Sequence, residues 1–219
     1  MPDMLLEILS WLAIVLTIGF FASGILACKR IIVSGDVGDV QFLPFVTTLM
    51  NCLLWTIYGY LKDDSTIIIV NFVGALLQVV YILCFLYFSR ERGNNLAFLF
   101  YSAIASASLF MYLSFVIVES NTRLSHMGKI CIVVTIMMQA SPLATVARVI
   151  RTKSTESMQF TFSFLITLCS FVWLCYGTVI YDINVQLPNL SGVLLGLAQL
   201  SLFCIYSSTP GSKVPVTIA

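Results

Sequence analysis

Charge is what this sequence has least of. Asp, Glu, Lys and Arg together make up 10% of the 219 residues, against about 25% in an ordinary soluble domain. So few charges could not cover a surface facing water, which excludes a soluble globular protein. Net charge is +1, so nothing points to nucleic acid or another acidic polymer as partner. No GxxxxGK[ST] stretch is present, which argues against an ATP-driven pump. Histidine occurs once, as His126, and its surroundings predict a solvated loop residue. There are seven cysteines, but no CxxC pair, and all fall inside apolar runs. They behave there as small apolar side chains, so no disulfide framework, metal site or redox role is expected. No catalytic residue and no cofactor are expected either.

What is abundant is apolar length. Hydrophobic residues make up 59% of the chain, and the mean hydropathy is +1.00. A membrane-crossing helix needs about 20 apolar residues, and seven such spans are predicted at 8–28, 42–61, 66–88, 96–118, 128–150, 160–181 and 186–207. Little remains for a soluble catalytic domain. The first span resembles a signal peptide in length. Its head carries Asp3 and Glu7 and no basic residue, so a retained helix is expected.

Basic residues set the orientation. Lys29, Arg30, Arg90, Arg92, Arg148, Arg151, Lys153 and Lys213 fall on one side, and Lys62, Arg123 and Lys129 on the other. The positive-inside rule puts the N-terminus outside or lumenal and the C-terminus in the cytosol. The tail from Gly211 to Ala219 has no sorting signal.

The chain repeats itself at an offset of 118 residues. WTIYG (55–59) pairs with WLCYG (173–177). The same offset pairs Ser23 with Ser141, Arg30 with Arg148, Gln41-Phe42 with Gln159-Phe160, Asp64 with Asp182, Asn71 with Asn189 and Gly74 with Gly192. About 20 of roughly 75 positions agree without a gap. Chance agreement among Leu, Ile and Val is common; joint agreement at Trp, Tyr, Gln, Asn, Asp and Gly is not. The repeat unit is three helices. Three is odd, so the unpartnered fourth span must act as a linker that restores the orientation. The expected fold is an all-α membrane protein with seven transmembrane helices, two parallel three-helix repeats joined by a linker helix (3+1+3). The expected divisions are a first repeat at 8–88, the linker at 96–118, a second repeat at 128–207 and a short cytosolic tail at 208–219.

The stretches VQFLPF (40–45), NCLLWTIYG (51–59), IIIVNFVG (67–74), ASPLA (140–144), RTKS (151–154), FVWLCYG (171–177) and LPNLSG (187–192) resemble the SWEET family of sugar transporters. The resemblance extends over all seven predicted spans and leans toward animal members. The parallel 3+1+3 arrangement is the one already described for that family.

No Asp, Glu, Lys or Arg lies near the middle of any span. Ion-coupled carriers usually keep such residues there, so passive movement of a neutral solute is expected. Asn71 and Asn189 are the strongest polar candidates, since an amide offers two donors and an acceptor to sugar hydroxyls. The plain alternative is an Asn that bonds a neighbouring helix as glue. The resemblance implies that both contact the sugar. Asn189-Leu190-Ser191 also reads as a glycosylation sequon, but one buried in a span. Trp55 and Trp173 can pack an aromatic face on a pyranose, or serve as interfacial belt residues; the resemblance places them at the sugar. Asn51 and Cys169 lie four residues earlier on the same faces.

A proline inside a helix frees a carbonyl four residues back and can act as a hinge. Pro44 is expected to free Val40 and Pro142 to free Met138. The family carries four such prolines. Here Gly24 stands at the first-helix position and Gln159 at the sixth. The resemblance implies an outer gate at Tyr58, Tyr176 and Asp182; for Asp64 solvated loop chemistry is an equal reading. Gly59 and Gly177 permit close helix approach. The resemblance also places Met138 at the cavity. The resemblance implies that Met138 is larger than the residue disaccharide carriers tend to have there, and Asn51 larger than the small residue of many plant members, so a glucose-like hexose is expected to pass and sucrose to pass poorly.

The function this implies is passive, bidirectional sugar uniport by alternating access, at the plasma membrane and/or the Golgi. The partners are the sugar and the lipid bilayer, with a homo-oligomer left open. A carrier of another small solute of the PQ-loop type and a seven-helix receptor are the alternatives. The chain lacks the Pro-Gln dipeptide of the first and the NPxxY ending of the second.

Overall fold

A computed structural model describes residues 2–206. The expected tail at 208–219 lies outside the described residues. Nine α-helices follow in order: α1 (Pro2–Ala22), α2 (Gly24–Ser34), α3 (Leu43–Lys62), α4 (Ser65–Phe88), α5 (Arg92–Met111), α6 (Ser120–Met138), α7 (Ala140–Thr152), α8 (Phe160–Val179) and α9 (Ile183–Ile205). A five-residue π-helical turn, Tyr112–Val116, follows α5. No strand occurs among the described residues. The first and fifth spans are each two helices joined at a one-residue break, Ser23 and Gln139. The seven expected spans are therefore α1/α2, α3, α4, α5, α6/α7, α8 and α9.

Six of the seven are long and apolar enough to cross a membrane on their own. The seventh, α3, has the length, but Thr47, Thr48, Asn51, Thr56, Tyr58 and Tyr60 dilute its apolarity. A span that carries polar side chains has a use for them. Large apolar residues such as Phe100, Phe110, Phe115 and Leu194 are more than half exposed, as a chain solvated by lipid allows.

The chain forms two compact units that divide near the end of α6, after Thr135. In the first, α3 packs along α4, and α1 and α2 lie against α4. Its core gathers Ile31, Phe42, Val46, Ile82 and Phe85, with the Phe42 and Phe85 rings 5.0 Å apart. In the second, α8 packs along α9, and α7 lies against α9. Lipid gives apolar side chains no reason to leave it, so close backbone approach carries much of this packing. A Cβ on Gly59 would meet Ile67 at 3.0 Å, and one on Gly177 would meet Val185 at 3.0 Å.

The 118-residue offset holds in the backbone. Asp63 and Tyr181, both non-glycine, take left-handed φ values of 57° and 54°. Gly35 ends α2 at φ 70°, and its counterpart Lys153 ends α7 at φ 56°. Asp64 caps α4 at φ −107°, ψ 100°, and Asp182 caps α9 at φ −110°, ψ 102°. Backbone angles repeated at this detail, across side chains that differ, mark a true duplication.

Four expectations change. The fifth span was placed at 128–150, but its helix begins at Ser120, because Ser120, Asn121 and Thr122 can start a helix although they are too polar for lipid. His126 therefore lies within α6, where its Nδ1 is 2.9 Å from the Thr122 carbonyl. Pro44 interrupts no helix: it sits in the first turn of α3, where an amide hydrogen would have no helical partner anyway. Gln159 precedes the first turn of α8; the offset pairs it with Gln41, and pairs Pro44 with Phe162.

Candidate functional site

Each unit carries the same set of polar and aromatic side chains near the short turn that joins its helix pair. In the first, Asn71 is buried and its Nδ2 donates to the Ile67 carbonyl at 2.9 Å. In the second, Asn189 Nδ2 donates to the Val185 carbonyl at 2.7 Å. Both amides thus lean on the carbonyl four residues back in their own helix; among the described residues neither bonds another helix. The inter-helix glue reading does not describe them. Each keeps its Oδ1 and one N–H to offer.

Trp55 and Tyr58 meet edge to face at 5.4 Å and 82°; Trp173 and Tyr176 do so at 5.4 Å and 80°. Trp55, Tyr58 and Tyr176 are buried, and Trp173 is half-buried. A belt residue would face lipid and headgroups, so burial sets Trp55 apart from that role. Its indole Nε1 donates to Thr135 Oγ1 at 3.0 Å, and Thr135 donates to Asn51 Oδ1 at 2.9 Å. The chain Trp55–Thr135–Asn51 fixes the indole plane and orients the Asn51 amide. Cys169, the counterpart of Asn51, and Met138, the last residue of α6, are half-buried in the second unit.

Asp64 and Asp182 each cap a helix. Asp64 Oδ1 accepts from Ile67 N at 3.0 Å, and Asp182 Oδ1 from Asn184 N at 3.0 Å. Capping satisfies amides that a helix start leaves open. The caps also fix where α4 and α9 begin, and so the height of Asn71 and Asn189, both seven residues further on.

The hinge candidates divide. Gly24 opens α2, and a Cβ there would stand 2.4 Å from the Tyr81 ring, so the break needs glycine for space. The same Tyr81 donates its hydroxyl to the Phe21 carbonyl at 3.0 Å. Pro142 lies in the first turn of α7, just after the break at Gln139. Pro188 lies within α9, next to Asn189.

Thr135, Gln139 and Pro188 were not singled out from the sequence. Thr135 was findable: the offset pairs it with Thr17, an identity inside an apolar span. Gln139 breaks the offset, since its counterpart is Phe21, and only its contacts reveal it.

A family described as "Sugar efflux transporter for intercellular exchange" matches this chain twice, over residues 7–93 and 125–211. The mouse protein named Sugar transporter SWEET1 is 38% identical over 201 residues, 90% of each chain. An Arabidopsis thaliana protein, Bidirectional sugar transporter SWEET10, is 34% identical over 80% of this chain and 61% of its own. Among solved structures, a eukaryotic SWEET transporter determined at 3.7 Å superposes with a TM-score of 0.86 at 27% identity, over 93% of this chain and 97% of that one. These matches leave no place for the receptor reading. With two family matches, seven spans and a duplicated polar set, the chain belongs to the SWEET family of sugar transporters.

Proposed function

We propose that this chain is a passive, bidirectional uniporter of a glucose-like hexose, working by alternating access and performing no chemistry on its cargo. The observation that carries the reading is the neutrality of the spans: their middles hold amides, hydroxyls and indoles and no Asp, Glu, Lys or Arg. A carrier that stored energy from an ion gradient would need a group to bind the ion. Asn71 and Asn189 bond sugar hydroxyls, while Trp55 and Trp173 offer aromatic faces to the apolar side of the ring. Asn51, Cys169 and Met138 set the volume available. Tyr58, Tyr176 and Asp182 close the outer mouth, and the breaks beside Gly24 and Pro142 supply the bending. The N-terminus faces outside or the lumen and the C-terminus the cytosol, at the plasma membrane and/or the Golgi.

The test is flux of labelled glucose into and out of proteoliposomes, with and without a proton gradient. Equal initial rates under both conditions, in both directions, are expected. A flux that stops when the gradient is collapsed overturns the uniport reading.

A further inference from the structure

We propose that Gln139 is a positioning residue that locks the break in the fifth span to the turn of α9 that carries Asn189. The inference rests on Asn189 as a sugar ligand.

Gln139 is the one residue between α6 and α7, at φ −76° and ψ −4°. Its own N–H reaches only three residues back, to Ile136 at 3.0 Å. Pro142, three residues on, has no N–H to give. The backbone ladder is thus thinned on both sides of the break. The Gln139 side chain ties that break to α9. Gln139 Nε2 donates to the Pro188 carbonyl at 3.0 Å, and its Oε1 lies 2.9 Å from Ser191 Oγ, whose single proton is shared between that oxygen and the Pro188 carbonyl at 2.8 Å. Both partners lie in one turn of α9, and Asn189 stands between them in sequence.

That turn of α9 is soft as well. Pro188 has no N–H to give to the helix ladder there. A softened turn leaves the aim of Asn189 to whatever braces it, and the brace is the Gln139 amide. Gly192 makes room: a Cβ there would stand 2.6 Å from Ser170 Oγ and 3.6 Å from Gln139 Nε2. Two weak points, one beside Pro142 and one at Pro188, are therefore tied by one amide whose oxygen and nitrogen are both used. In a dry surrounding such a bond is strong, and either partner is costly to leave alone. Bending at the break then carries Asn189 with it.

The device belongs to the second half alone. The counterpart of Gln139 is Phe21, whose ring packs where a Cβ on Gly74 would stand 2.5 Å away, and which bonds α4 only through its carbonyl.

The experiment is glucose uptake by purified protein in proteoliposomes, read as KM and maximal rate, with melting temperature measured alongside. Gln139→Leu removes both bonds and is expected to raise KM about tenfold; Ser191→Ala removes one and is expected to raise it about threefold. Ser191→Thr keeps a hydroxyl and should restore KM to within about twofold of the starting protein. Wild-type KM in both Gln139→Leu and Ser191→Ala overturns the proposal, even if both melt earlier, because Gln139 is then a packing residue. If Gln139→Leu does not fold, the Ser191 pair decides: equal KM in Ser191→Ala and Ser191→Thr overturns it. Asn189→Ala separates the two layers. Lost transport there, with normal KM in Gln139→Leu, defeats the positioning role alone. Normal transport in Asn189→Ala defeats the reading of the site, and the positioning role with it.

Discussion

In the first half the break at Ser23 is tied to α4 by a tyrosine hydroxyl, Tyr81 to the Phe21 carbonyl. In the second the break at Gln139 is tied to α9 by a side-chain amide, through two bonds. Other features of the two halves hardly differ. The Trp–Tyr ring pairs agree within 2° at the same distance, the aspartate caps share their backbone angles, and both asparagines make the same back-bond. The two copies have been held alike where side chains face a common task, and have been free to differ in how each broken helix is braced. Gln78 shows the same freedom: its Oε1 is buried without a partner, where the second half has Gly196 and none of the problem.

The sharpest way to break this comparison is at the asparagines. If they bind sugar as proposed, Asn71→Ala and Asn189→Ala should each lower glucose flux about 10- to 100-fold, with folding and surface expression kept, because each leaves sugar hydroxyls unpaired. Labelled uptake normalised to surface protein checks it. If one variant keeps wild-type flux, the halves are alike in shape and unlike in use.

The braces should fail separately. Gly24→Ala pushes a methyl into the Tyr81 ring, which also holds the Phe21 bond. It should destabilise the protein by about 1–3 kcal/mol, seen as a lower melting temperature in detergent. Ser141→Ala, its near neighbour in the second half, should cost little, since Ser141 is exposed.

A smaller contrast lies in the left-handed helix ends. Gly35→Ala should cost about 1 kcal/mol, because a Cβ is unwelcome at positive φ. Lys153→Gly relieves that same cost but gives up the 2.9 Å bond from Lys153 Nζ to the Tyr206 hydroxyl, so it should stay within about 0.5 kcal/mol of neutral. Thermal melts of both variants settle it. The smallest effect is on selectivity. Met138→Val with Asn51→Ser should raise the sucrose-to-glucose uptake ratio about threefold, because both substitutions remove side-chain volume. An unmodified protein that already carries both sugars equally would show that other residues shape the cavity.

Much of this was legible in the residues. Apolar length gives the spans, and an ungapped offset gives the duplication, because Trp, Asn, Asp and Gly agree where lipid-facing positions drift. Hydropathy reports where lipid begins, though, and not where a helix begins, so the start of α6 at Ser120 was missed. Proline marked the bend in the second half, beside Pro142, but not in the first. Pro44 sits in a first turn, where it costs nothing, while the break at Ser23 has no proline and depends on Gly24 beneath a tyrosine ring. Bonds between residues far apart in sequence, such as Trp55 to Thr135 and Gln139 to Pro188, leave no local trace at all.

The back-bonds of Asn71 and Asn189 bear on the half of the cycle that carries no cargo. An amide that already leans on its own helix does not need a sugar to satisfy that donor. On the uniport reading proposed above, the vacant carrier closes over its site and resets without burying two wholly orphaned amides. Net flow in such a cycle depends on the unloaded protein returning as readily as the loaded one crosses. Adding sugar to the far side should then speed efflux only slightly, and the exchange rate should lie close to the rate of one-way flow.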